Sequence, residues 1–179
     1  MNITILTPEK CTKLEIELFY ECVLKGKQVN KNGLKNRIIQ SELLGFCYVK
    51  NKLVSVSSIK NPNNNYKKRI FEKAMMPELA KEHPYELGYA YTIDEFRGKG
   101  LNFNINKKLL SALEDSAVYA TSHNKKMIES LLKLGFNPIG KVYNGDNGDE
   151  IKIYSYDVVS NNIINDGVSG FIDLNDVPN

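Results

Sequence analysis

The stretch from Tyr85 to Leu113 constrains this chain more than any other. Leu87, Tyr89, Tyr91 and Ile93 alternate with Glu86, Gly88, Ala90 and Thr92, the period of a strand with two distinct faces. After Asp94-Glu95-Phe96 comes Arg97-Gly98-Lys99-Gly100, and then Leu101, Ile105, Leu109 and Leu113 recur every fourth residue, which predicts a helix from near Gly100 to about Asp115. A strand that passes through a glycine-bearing basic turn into a helix sets free backbone N–H groups at the positive end of a helix dipole, where anions are held. Glycines at 98 and 100 permit positive φ, and Arg97 and Lys99 add charge. Read alone, RGKG fits a plain basic turn as well as an anion cradle.

Two phosphate motifs fail on spacing. Gly98 and Gly100 cannot supply GxxxxGK followed by Ser or Thr, and Phe103 stands where GxGxxG needs its third glycine.

The rest of the chain predicts an alternation of helices and strands. A short strand at Ile3–Leu6 precedes a helix over Pro8–Lys25, started by Thr7 with Pro8 at its first position, and a second helix spans Asn32–Ser41. LLGFCYVK and LVSVSSIK, parted by Asn51-Lys52, predict an antiparallel hairpin. After the turn cluster NPNNN, YKKRIFEKA predicts a short helix whose Lys67, Lys68, Arg69 and Lys73 read as a solvated basic face, with contact to an acidic substrate or a ribose phosphate as the other reading. A strand at Ala117–Thr121, a helix from Asn124 to Leu134 stopped by Gly135, and strands at Pro138–Tyr143 and Ile151–Val158 complete a domain over 1–159. Residues 160–179 read as an acidic, flexible tail.

Composition narrows the function classes. The charge excess, 24 Lys and Arg over 21 Asp and Glu, is too small to argue for nucleic acid. Cys11, Cys22 and Cys47 have neither disulfide nor zinc spacing, so no metal is expected and a reducing cytoplasm is. The N-terminus lacks a signal-peptide pattern and no apolar run is long enough to span a membrane. His83, before Pro84, and His123, before a helix, are expected in solvent, and Cys47 in the core.

The order of elements and the motif Arg97-Gly98-Lys99-Gly100-Leu101-Asn102 resemble the GNAT superfamily of acyl-CoA-dependent N-acyltransferases, whose central motif is Arg or Gln, x, x, Gly, x, Gly or Ala. SHNKKMIESLLKLGFNPIG resembles the second conserved block of that family, with Asn124 at its helix start, and the likeness covers roughly residues 1–158. The fold implied is α/β, a mixed, mostly antiparallel twisted sheet of six to seven strands flanked by helices. The activity implied is transfer of acetyl from acetyl-CoA to a primary amine, by a monomer or homodimer. The resemblance places the pantetheine arm on the backbone of Ala90, Tyr91 and Thr92, the pyrophosphate on the amides of residues 97–102, and Asn124 beside the cofactor.

An alkyl amine must lose a proton before it can attack. Glu86, eleven residues before Arg97, has the spacing of the base glutamate of the histone acetyltransferase branch; a solvent-facing strand Glu is the other reading. Two departures from the family stand out. Leu131 occupies the place of its usual acid Tyr, leaving Tyr119 and Tyr143 as candidate donors, and Asn102 replaces Gly or Ala beside the pyrophosphate. Asn104 and Asn106 fit either a polar face near the cofactor or an asparagine-rich habit of the chain. A non-catalytic acyl-CoA-binding protein of the same fold is the competing expectation.

Overall fold

The computed structural model describes residues 1–113, 116–146 and 148–157. Seven strands, β1 (Asn2–Leu6), β2 (Leu43–Val49), β3 (Lys52–Lys60), β4 (Tyr85–Thr92), β5 (Val118–Ser122), β6 (Asn137–Asn144) and β7 (Glu150–Tyr156), form one sheet in the order β1-β2-β3-β4-β5-β7-β6. β4 and β5 run parallel; every other neighbouring pair is antiparallel. Among the described residues the α-helices are α1 (Lys13–Lys25), α2 (Leu34–Ile39), α3 (Asn64–Lys73), α4 (Leu101–Ser111) and α5 (Lys125–Lys133).

Alternation along β2 shows how the layers assemble. Leu44 and Phe46 pack with Phe19 and Val23 of α1 and Leu34 and Ile38 of α2, whereas Leu43 and Cys47 pack with Ile105 and Leu109 of α4. The period of 2 thus gives each strand two cores to fill. Tyr119 and Ile153 turn toward Ile70 and Phe71 of α3, while Val118, Ala120 and Tyr154 meet Leu131 of α5. α1, α2 and α3 therefore cover one face, and α4 and α5 the other.

Local signals account for the element ends. The β2–β3 turn is Lys50-Asn51, both at positive φ (48° and 63°), the geometry that lets a two-residue turn follow the strand twist. Asn124 caps α5, its Oδ1 accepting from the Met127 amide at 3.1 Å, and Gly135 follows that helix at φ 93°.

Several expectations need correction. The helix expected over Pro8–Lys25 is interrupted: Pro8–Lys10 is a single 3₁₀ turn, and α1 starts afresh at Thr12, whose side chain and Glu15 form a reciprocal capping box. α2 is shorter than the expected Asn32–Ser41. α4 ends at Ser111, short of Asp115, which lies outside the described residues, as do Val158 and the 160–179 tail. Lys67 is not on a solvated face: it is 8% exposed, on the side of α3 that carries Ile70 and Phe71. His83 is buried rather than in solvent. Its ring nitrogens engage the Leu79 carbonyl at 3.0 Å and Ser155 Oγ at 2.6 Å, tying the loop before β4 to β7.

Candidate active site

β4 and β5 start together and part. They pair at Tyr85↔Val118 and Glu86↔Tyr119, after which β4 follows β3, with Gly88 opposite Ser58 and Thr92 opposite Ser55, and β5 follows β7. A bulge drives the parting: the β3–β4 register shifts between Val56 and Ser58, and Tyr89 sits at φ 52°. The bulge also breaks the alternation expected along β4. Leu87 faces α4, but Tyr89 joins the α1 core with Val56, and Tyr91 packs against that same core.

Three serines of β3 hold the bulge. Ser57 and Ser58 donate to the Gly88 carbonyl at 3.2 and 3.3 Å, and Ser55 donates to the Tyr91 carbonyl at 3.0 Å while lying 2.7 Å from Thr92 Oγ1. Unusual backbone of this kind persists only when its surroundings over-determine it. The result is a strand edge, from Gly88 to Thr92, whose backbone groups facing β5 have no sheet partner among the described residues. An extended ligand carrying amides is the natural partner for such an edge.

At the far end of that edge lies the glycine turn. Gly98 (φ 75°) and Gly100 (φ 70°) are both left-handed, and a Cβ at either would meet nothing within 4 Å, so the turn stands open above the first turn of α4. Gly100 is the residue before that helix, and its carbonyl takes the first helical bond, from Asn104. The amides ahead of Asn104 are the orphans of a helix start and can hold an anion. Arg97 is committed nearby, donating to the Thr92 carbonyl at 3.1 Å and pairing with Asp94 at 2.9 Å. The Lys99 ammonium lies over the Phe96 ring at 4.6 Å.

Asn102 lies in the first turn of α4. Its side chain turns toward the sheet, donating to the Val56 carbonyl at the bulge (3.0 Å) and accepting from Asn106 Nδ2 (3.1 Å). Asn106 is fully buried and forms with Asn102 an internal brace between α4 and β3, whereas half-buried Asn104 has no part in it.

Glu86 is 4% exposed, which removes the solvent-facing reading. Its Oε2 lies 2.6 Å from Lys60 Nζ and accepts from the Tyr119 hydroxyl at 3.2 Å. The Lys60 ammonium also lies 5.0 Å from the Tyr89 ring centroid and 5.8 Å from that of Tyr66. Desolvation first, then the Glu86 charge, raises the hydroxyls of Tyr119, Tyr66 and Tyr143 above the ordinary phenol range, so all three keep their protons. Burial, with Glu15 adding to it, pushes the Cys11 thiol up to about 11 and burial raises Cys22 and Cys47 as well, so no cysteine here is a ready nucleophile.

The expected residues thus fall in three places. Glu86 and Tyr119 meet in one buried cluster; Ala90, Tyr91, Thr92 and the 97–101 turn line the open edge; Asn124 serves as a helix cap. Leu131 is a core side chain at 1% exposure. Lys60, Tyr66 and the β3 serines were missed. VSVSSIK reads as an ordinary strand, and only its excess of hydroxyls in a buried position hints at carbonyls needing donors.

No protein-family model matches the chain and no curated protein matches it. Solved structures do. ElaA of Escherichia coli superposes with a TM-score of 0.65 at 13% identity, over 87% of this chain and 99% of its own. A GNAT-family acetyltransferase from Streptococcus agalactiae gives 0.61 at 17% identity, over 87% and 95%. An aminoglycoside 6'-N-acetyltransferase in complex with coenzyme A gives 0.61 at 9% identity, over 88% and 97%.

Proposed function

From the GNAT fold that this chain has, we propose that it transfers acetyl from acetyl-CoA to a primary amine, in the cytoplasm. The observation that carries this reading is the parting of β4 from β5 directly onto the left-handed glycines at the start of α4. The pantetheine amides would complete the edge from Gly88 to Thr92, and the pyrophosphate would take the amides of residues 98–102, since that of Arg97 already bonds the Asp94 carbonyl. The aminoglycoside acetyltransferase of the same fold, solved with coenzyme A, supports this assignment of the cosubstrate.

The acceptor would approach from the α1–α3 face, where Glu86 lies. Glu86 takes the proton that an alkylammonium must lose, and a backbone N–H freed by the bulge meets the developing oxyanion. Leu131 offers no proton to the leaving group. A thiolate of pKa near 8.5 needs one less than an alkoxide would, and the protonated hydroxyls of Tyr119 and Tyr143 are the candidates to supply it.

Calorimetry of acetyl-CoA on the wild type and on Gly100→Glu tests the reading. Micromolar binding that the substitution abolishes is the expected result; no binding to the wild type refutes it. The second reading, a non-catalytic acyl-CoA-binding protein, is favoured by the apolar Leu131 and by the ion pair that already occupies Glu86. It requires binding without transfer to any amine in a broad screen.

A further inference from the structure

Lys60 occupies the place in the cluster where an acceptor amine would be expected. Its ammonium pairs with the buried Glu86 carboxylate at 2.6 Å and faces the rings of Tyr89 and Tyr66, a combination of carboxylate and aromatic faces that recognises an alkylammonium. The stem lies against the bulge itself: a Cβ added to Gly88 would come within 2.8 Å of Lys60 Cδ and 3.5 Å of its Nζ. The amine therefore sits where β4 leaves β5, beside the carboxylate assigned as base.

Resting on the transferase reading, we infer that Lys60 is itself an acceptor, a self-acetylation site inside the active site. Glu86 takes one proton from Lys60 Nζ and passes it to solvent. The freed lone pair attacks the thioester carbonyl carbon, a C–N bond forms as the C–S bond breaks, and the second ammonium proton leaves with the CoA thiolate as free thiol. The product amide carries no charge, so the modification ends the ion pair and releases Glu86 for an external amine.

The test uses the full chain with acetyl-CoA and no added amine. Intact mass and peptide mapping follow the modification, and calorimetry on the same preparation reports cosubstrate binding. The expected result is one acetyl group per chain, on Lys60, appearing at least tenfold faster than on exposed Lys31 or Lys141 and slowed at least tenfold in Glu86→Gln. Lys60→Arg should lose the fast acetylation altogether. Binding of acetyl-CoA with Lys60 unmodified, or modified no faster than Lys31 and Lys141, overturns the inference and leaves the transferase reading standing. Absence of binding overturns both. Because the wild-type map decides the matter, a poorly folded variant does not obscure it.

Discussion

Replacing Asn102 by Ala tests the brace between the first turn of α4 and the β3 bulge. In the wild type the Asn106 amide, at 0% exposure, donates to Asn102 Oδ1, and Asn102 Nδ2 donates to the Val56 carbonyl. Asn106 Oδ1 already has no partner among the described residues. The substitution leaves the Asn106 donor buried and unpaired, which costs about 1–3 kcal/mol, and the lost bond to Val56 adds about 1 kcal/mol. The expected destabilisation is therefore about 2–4 kcal/mol, read as a lower urea midpoint at unchanged m value. Adding Asn106→Leu to Asn102→Ala removes the orphaned amide and the unpartnered oxygen together, so the double variant should be about 1–2 kcal/mol more stable than the single. A cost below about 0.5 kcal/mol for Asn102→Ala, or no recovery in the double variant, would refute the account of the brace.

Leu131→Tyr should lower stability by about 1–3 kcal/mol, because a 1% exposed site must take a larger, polar side chain, and should leave acetyl transfer no faster; a gain in turnover would contradict this. Lys67→Met should stabilise the protein by at most about 1 kcal/mol near neutral pH, since burial of the Lys67 side chain disfavours its charged form and methionine fills the same place without a charge. Burial lowers the Lys67 pKa below the ordinary 10.5, so the unfolded chain binds more protons as pH rises toward that value. The wild type should accordingly close its gap to Lys67→Met over that window, and a gap that stays constant in urea titrations would exclude the effect. Glu86→Gln should cost about 3 kcal/mol by leaving Lys60 without its carboxylate, and should cut turnover at least 100-fold with acetyl-CoA affinity unchanged; unaltered turnover would remove Glu86 as base.

How much of this was legible in the sequence follows from which forces act locally. The glycine turn, the caps at Asn124 and Gly135, and the strand character of 85–93 depend on a few adjacent residues, and they stand as read. The break at Thr12 was legible too, since Thr12 and Glu15 spell a capping box, but Pro8 supplied a stronger and misleading start signal. Tyr89 could not be read, because its left-handed φ is imposed by hydroxyls on the neighbouring strand, more than thirty residues earlier. Lys60, Lys67 and His83 are illegible for one reason: local sequence points charged and polar residue types to solvent, whereas their partners or their burial come from distant elements. Asn102 likewise has a partner 46 positions away.

The parting of β4 from β5 has a mechanical meaning as well as a chemical one. The four strands ahead of it and the three behind it are joined along the sheet by two residue pairs, so cohesion between the halves falls to the apolar layers on the two faces and to side-chain bonds such as His83 to Ser155 and Tyr119 to Glu86. A molecule bridging the gap would act as the missing rung of a ladder. It should then stabilise both halves at once, by an amount that grows with the logarithm of its concentration over its dissociation constant. Backbone amides of β4 and β5 would become slower to exchange with solvent together, far beyond the atoms the ligand touches.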